Sequence, residues 1–227
     1  MADMTGKVVV VTGATNGIGE ATALELAKMG ATTIIVSRNP EKCKATAEAI
    51  RTQTGNTNVH YYAADLSKQA DVRQVAAQIR ADYDRLDVLV NNAGMWFTER
   101  QLSADGVEMT WALNHLGYFL LTHELLDLLK STATTHGDAR VISVSSMAHH
   151  DVTMDWDDIQ FEDWARGNTQ YAGWGVYSQS KLAHVLFAFA LARRLEGTGV
   201  VSNAVHPGVV VTGFSQTNVW FYQMGAV

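Results

Sequence analysis

The chain reads as an α/β fold: one domain over residues 1–227, built on a doubly wound parallel sheet with helices on both faces. Three observations predict this. Apolar, β-branched runs recur along the chain and are too continuous for a sheet with one wet face, so they suit strands buried on both sides. Between them lie stretches with apolar residues at helical spacing. The first two runs and the helix between them fit within about 30 residues, the size of a strand–helix–strand unit with a right-handed crossover. At 227 residues, 47% hydrophobic and 18% charged, the chain can bury a core of that kind.

The elements follow in order. Lys7 to Val11 is the first strand. Glu20 to Lys28 are strong helix formers with an acid in the first turn, and Gly30 stops them. Ala31 to Val36 is the second strand. Asn39 caps the next helix, with Pro40 at its first position and Cys43, Ala47 and Ile50 on one face. Val59 to Ala64 is the third strand and runs into Asp65 and Leu66. Val72, Val75, Ala76 and Ile79 mark an amphipathic helix. Leu86 to Val90 is the fourth strand, followed by Asn91, Asn92, Ala93 and Gly94. Helical spacing of Leu113, Leu116, Gly117 and Leu120 places a long helix between about 107 and 130. Asn114 lies near its middle, where an amide needs a buried partner. Ala139 to Ser146 is the fifth strand, with the hydroxyls of Ser145 and Ser146 at its end. Tyr177 to Lys181 opens a helix continued by Leu182, Val185, Leu186 and Phe189. Val200 to Val205 is the sixth strand, ended by Pro207 and Gly208.

Between the first strand and its helix lies Thr12-Gly13-Ala14-Thr15-Asn16-Gly17-Ile18-Gly19. Strand, glycine-rich turn and helix are the setting of a dinucleotide-binding loop in a Rossmann-type sheet. Without Cβ atoms, Gly13, Gly17 and Gly19 let a pyrophosphate approach the backbone and let helix and strand pack closely. The helix N-terminus offers free N–H groups to the phosphates. The glycine spacing is G-x-x-x-G-x-G, so the turn is longer than in G-x-G-x-x-G, and no P-loop pattern occurs. At the end of the second strand stand Ser37, Arg38 and Asn39, with no acid before Glu41. A carboxylate there would bond a ribose 2′-OH and repel a 2′-phosphate, and an arginine does the reverse. Arg38 is therefore read as the 2′-phosphate partner, and NADP(H) is expected over NAD(H); a solvated surface arginine is the plain alternative.

Tyr177 and Lys181 are four apart, so on a helix they project from the same side. A free phenol has a pKa near 10. A cation about 4–6 Å away lowers an acid's pKa by about 1–3 units, so the lysine, helped by an oxidised nicotinamide, is expected to bring the phenol toward its working range. A serine at a strand's carboxyl end can face the oxygen of a substrate there.

The order of these motifs resembles the short-chain dehydrogenase/reductase family over nearly the whole chain. The loop reads T-G-x-x-x-G-I-G, and Asp65-Leu66, N-N-A-G, N-x-x-G from Asn114, Y-x-x-x-K and P-G-x-V-x-T from Pro207 to Thr212 follow. The resemblance implies a cofactor held by Gly13, Thr15, Asn16, Gly17, Ile18 and Gly19. It implies that Asp65 and Leu66 meet the adenine edge and that Asn92, Ala93 and Gly94 line the groove. Pro207, Gly208 and Val210 would cover the nicotinamide. Tyr177 would be general acid/base, with Lys181 lowering its pKa and holding the nicotinamide ribose. Ser146 would bond the carbonyl oxygen; it is chosen over Ser145 because the family motif places its serine second, before x-A. Asn114 would anchor a water in a proton relay, although a core asparagine bonded to backbone has the same sequence.

The stretch from Met147 to about 175 is longer than the commonest family pattern and holds Trp156, Phe161, Trp164, Tyr171 and Trp174 with Asp155, Asp157, Asp158, Glu162 and Asp163. With S-S-x-A-H it is similar to the retinol-dehydrogenase-like branch, which implies a lipophilic aldehyde or ketone as substrate. Its aromatic residues are expected to wall an apolar pocket, unless the insert is a plain surface excursion. The family's lid helix and last strand have no counterpart before Val227, so both are expected to be missing.

A net charge of −6 argues against a nucleic-acid partner. No apolar run reaches the roughly 18 residues of a transmembrane segment. With Cys43 alone, no intrachain disulfide is possible and a cytoplasmic setting is expected. The neighbours His149 and His150 lack partners at ligand spacing, so no metal is expected. The expected protein is an NADP(H)-dependent oxidoreductase acting on an apolar carbonyl or alcohol, with a homo-oligomer left open. The other readings are a catalytically silent NADPH-binding regulatory or scaffold protein, and a sugar-nucleotide epimerase. Intact Asn114, Ser146, Tyr177 and Lys181 argue against the first, and the glycine spacing against the second.

Overall fold

A computed structural model describes residues 2–165, 173–208 and 210, without the side chains of Trp164 and Ala165. Tyr171, Val209 and everything from 211 onward, including Thr212 and the expected missing lid and last strand, lie outside the described residues.

The apolar runs form β1 (Val8–Thr12), β2 (Thr32–Ser37), β3 (Val59–Ala63), β4 (Val88–Asn91), β5 (Ala139–Val144) and β6 (Val200–Val205). They pair in parallel as one sheet in the order β3-β2-β1-β4-β5-β6. Between them run α1 (Gly17–Lys28), α2 (Pro40–Thr54), α3 (Gln69–Asp82), α4 (Met109–Trp111), α5 (Gly117–His136), α6 (Glu162–Ala165) and α7 (Gly173–Arg194). The order reverses between β1 and β4, which opens a crevice beyond their carboxyl ends.

Alternation along β1 shows why its run is uninterrupted. Val8 and Val10 pack with Leu89 and Val141 against α3 and α5, through Val72, Val75, Ile79, Leu121, Leu125 and Leu129. Val9 and Val11 pack on the other face with Ile35, Val90 and Val144 against Ala23 and Ala27 of α1 and Ala47 and Ile50 of α2. Each such leucine or isoleucine contributes about 1.5–3 kcal/mol by leaving water. The central strands β1, β2 and β4 are therefore dry on both faces, as expected, whereas the edge strand β6 leaves Val201 and Val205 exposed.

Three boundaries differ from expectation, each for a visible reason. β4 begins after Asp87, because Leu86 N donates to Thr132 Oγ1 (2.8 Å) and the Asp87 carboxylate accepts from Val8 N (2.8 Å) and Arg85. The long helix widens at Ala112–Leu116, where Gly117 N reaches back five residues to the Ala112 carbonyl, and Asn114 sits in this π turn. Such turns interrupt a helix mostly at functional sites. α7 is helical from Gly173, so Tyr177 lies a turn inside the helix rather than at its start. There Gly173 allows close approach to Phe97, whose carbonyl a Cβ would strike.

Candidate active site

The crevice between β1 and β4 is the floor of a cleft of about 1430 Å³. Gly13, Thr15, Asn16 and Ile18 line it from the turn after β1, and Asn92, Ala93 and Gly94 from the loop after β4. Gly17 and Gly19 do not line it. They act from behind: Gly17 takes φ 58°, and a Cβ on Gly19 would run into the Asn92 amide and lie 2.5 Å from the Gly13 carbonyl oxygen. Only glycine lets the start of α1 lie this close to both loops. Thr12 joins the two loops, its hydroxyl accepting from Asn92 N (2.9 Å) and Ala93 N (3.0 Å) and donating to Val90 O (3.3 Å). The Asn92 side chain donates back to Thr12 O (2.8 Å).

At the far rim Arg38 is exposed, with no partner for its guanidinium among the described residues. Thr15 and Ser37 hydroxyls meet at 3.1 Å beside it. Lys42, one turn into α2, also reaches the cleft, a second cation that the sequence reading did not select. Its place in the first turn after Asn39-Pro40 was the available signal. Asp65 and Leu66 line the same end; burial, the largest single effect on the Asp65 carboxylate, would raise it, but hydrogen bonds from Ser67 and the charge of Lys68 together hold it below the usual range. Pro207, Gly208 and Val210 border the other end.

Ser146, Tyr177 and Lys181 converge midway along the cleft. Ser145 and Ser146 divide their work: Ser145 Oγ is buried and donates to the Lys181 carbonyl (2.8 Å), whereas Ser146 bonds the Tyr177 hydroxyl. Lys181 Nζ lies 5.3 Å from the centre of the Tyr177 ring and donates to the Val144 carbonyl at 3.0 Å. Burial pushes the Tyr177 phenol up to about 12, against a lowering by Ser146, and pushes the Lys181 amine down to about 7. Desolvation thus dominates both groups in the protein alone, whereas the expected lowering of the phenol calls on a charged Lys181 together with an oxidised nicotinamide. Gly94 leaves room there, since a Cβ would lie 3.6 Å from Lys181 Nζ.

Asn114 does not reach the cleft surface. Fully buried, its Oδ1 accepts from Met95 N (2.9 Å), and its Nδ2 donates to Met95 O (3.0 Å) and Ser180 Oγ (3.1 Å). It ties the loop after β4 to α7, immediately behind Lys181.

Of the insert's aromatic side chains among the described residues, one reaches the cleft. Trp174 lines the cleft and packs on Trp96 (5.3 Å) and Tyr177 (5.5 Å), but Trp156 is 70% exposed and Phe161 is buried elsewhere. The apolar wall is completed by Met147 and Val152 of the insert and, from outside it, by Met95, Phe97, Met109 and Leu113. The acids are not simply solvated: Asp155 accepts from the amides of Asp157 and Asp158, and Asp158 from those of Glu162 and Asp163 at the start of α6. Among the described residues no group of three His, Cys, Asp or Glu could hold a metal ion, and no helix is long and apolar enough to cross a membrane.

A Rossmann-type sheet with this loop and this serine–tyrosine–lysine cluster defines a class, and the comparisons agree. The sequence model described as "short chain dehydrogenase" matches residues 7–156 and 165–220, and the chain belongs to that family. Human retinol dehydrogenase 13 is 46% identical over 211 residues, 93% of this chain and 61% of the relative, in line with the expected retinol-dehydrogenase-like branch. The chain spans about three-fifths of the length of the curated relatives it matches first. Among solved structures, the Pseudomonas aeruginosa RhlG/NADP active-site complex superposes with a TM-score of 0.76 at 28% identity, covering 96% of this chain and 78% of that one. A Brucella melitensis 3-ketoacyl-(acyl-carrier-protein) reductase complexed with NADH gives 0.72 at 26% identity, covering 95% and 80%.

Proposed function

We propose that this chain is an NADP(H)-dependent oxidoreductase that interconverts an apolar aldehyde or ketone and its alcohol. The observation that carries this reading is the convergence of Ser146, Tyr177 and Lys181 on one cleft at the carboxyl ends of β4 and β5. Bound along the cleft, a nicotinamide cofactor would supply the hydride chemistry. The cleft fits such a group: Gly94 leaves space in front of Lys181, and the first amides of α1 have no helical acceptor. Gly13, Thr15, Asn16 and Ile18 would lie along the pyrophosphate, with Gly17 and Gly19 shaping that turn. Asp65 and Leu66 would lie along the adenine, and Asn92, Ala93, Pro207, Gly208 and Val210 along the rest of the groove. Arg38, with Lys42 behind it, favours a 2′-phosphate; both NADP and NADH occur among the structural relatives, so the preference rests on these side chains.

Tyr177 holds the proton for the substrate oxygen. In the reductive direction its phenol, neutral at about 12, donates that proton, and Ser146 hydrogen-bonds the same oxygen. In the oxidative direction Tyr177 takes the proton, and a charged Lys181 stabilises the phenolate. Asn114 holds the loop and α7 in register behind Lys181. Met95, Met109, Leu113 and Trp174 exclude water and favour a lipophilic substrate. Cys43, a buried free thiol, fits a reducing compartment such as the cytoplasm, with the chain acting as one domain.

The test is consumption of NADPH with a panel of aliphatic, aromatic and retinoid aldehydes. Turnover with the apolar members supports the reading. NADPH binding without turnover of any member would instead make this a silent cofactor-binding protein.

A further inference from the structure

Behind Lys181 lies a buried imidazole that no motif marks. His184 is fully buried one turn along α7. Its Nε2 lies 2.6 Å from the Asn114 carbonyl oxygen and its Nδ1 3.1 Å from the Val144 carbonyl oxygen. Both partners are acceptors, and a neutral ring has only one N–H to give. Val144 O already receives the Lys181 ammonium at 3.0 Å.

We infer that His184 is a positioning residue: its neutral imidazole, protonated on Nε2, grips the Asn114 carbonyl and so fixes the π turn against α7, the helix that carries Lys181. The inference rests on the reductase reading for its catalytic consequence, but not for the position of the proton. Donor counting favours this tautomer. The opposite one would give Val144 O a second donor while aiming a bare lone pair at Asn114 O across the shorter distance. Burial, the Lys181 ammonium and, further off, His115 all disfavour a charged ring; the two carbonyls oppose them less strongly. Among the described residues, these groups face the ring. Tyr118 of α5 stacks on it at 4.4 Å, His115 of the π turn stands at 6.3 Å, α7 supplies Lys181, and β5 offers only its backbone. Asn114 in turn holds both backbone groups of Met95, so one N–H couples the loop after β4, the π turn and the catalytic helix.

Nitrogen-15 histidine spectra of the full chain test the tautomer. His184 is expected to stay neutral with its proton on Nε2 between about pH 6 and 9; a charged ring, or a proton on Nδ1, overturns the inference. Kinetics test the consequence. His184→Leu is expected to lower kcat about tenfold with the KM for NADPH within about twofold, as displacement of a catalytic group does. It should also move the rising limb of the oxidative pH profile to higher pH, because a loosened Lys181 stabilises phenolate less. His184→Gln, which keeps one donor, should recover most of the rate and the profile. A folded Leu variant with unchanged kcat and profile, or a Gln variant as impaired as Leu, overturns the positioning role. Should the Leu variant not fold, the spectra decide. Should the unmodified chain reduce no carbonyl, the reductase reading falls while the spectra still decide the proton's place.

Discussion

Lys181 Nζ stands 5.3 Å from the centre of the Tyr177 ring, yet its hydrogen bond goes to the Val144 carbonyl. The lysine therefore acts on the phenol as a nearby charge rather than as its bonded partner, and only while it carries that charge. With the amine near 7 and the phenol near 12, the site rests as neutral phenol beside a half-charged amine.

Tyr177→Phe keeps the ring packed on Trp174 and removes the proton to be transferred to the substrate oxygen. Turnover should fall by about 10²–10⁴-fold while NADPH affinity, read by fluorescence titration, is unchanged. A variant that still turns over would refute the assigned role.

Lys181 also sets a pH dependence of stability. Its ordinary value is 10.5 and its folded value about 7, so between these limits the unfolded chain binds a proton that the folded chain sheds. Stability of the cofactor-free protein should therefore rise with pH across that window. Tyr177 acts in the opposite sense above its ordinary value of 10, where the unfolded chain ionises first. Lys181→Met should raise the melting temperature at pH 7 by about 2–4 °C, an advantage that shrinks toward pH 10. A lower melting temperature at pH 7 would contradict the assignment.

Arg38→Asp places a carboxylate where a 2′-phosphate would sit. NADPH binding should weaken by about 10–100-fold and NADH binding improve, measured as the ratio of kcat/KM for the two cofactors. An unchanged ratio would make Arg38 an ordinary surface side chain and leave Lys42 to be tested.

Gly19→Ala forces a methyl group against the Asn92 amide and the Gly13 carbonyl. Overpacking of this kind costs about 1–3 kcal/mol, and here it should also spoil NADPH binding. Gly55→Ala is the comparison: its Cβ would meet nothing within 4 Å, although its φ of 70° is unfavourable to alanine. It should cost stability alone.

The residues that were legible in sequence are those whose chemistry depends on local pattern. The β1 run, the glycine turn, Asn39-Pro40 and the Tyr177–Lys181 spacing each carry their own structural cause within a few residues. What was not legible depends on distant packing. Nothing near Asn114 announces a π turn, since its partners Met95 and Ser180 come from other elements. The extension of α7 back to Gly173 was not legible either, since the reason for that glycine is the close approach of Phe97 from another part of the chain. Nor was the burial of Tyr177 and Lys181 legible, because it is a property of the fold rather than of their spacing. Likewise composition alone did not tell apart the insert's aromatic residues: Trp174 lines the cleft while Trp156 is exposed, and Met95 and Met109 reach the cleft from outside the insert.

The Thr12 hydroxyl serves three main-chain groups on the far side of the crevice at once. Two neighbouring loops are thereby fastened by a single oxygen before any dinucleotide arrives. Association then has little ordering entropy left to overcome at that edge, so changes to side chains along it should alter how long the nucleotide stays more than how fast it docks. Thr12→Val, nearly the same shape but mute as an acceptor, would strand two amides and turn a rigid cradle into one that must be assembled at each encounter.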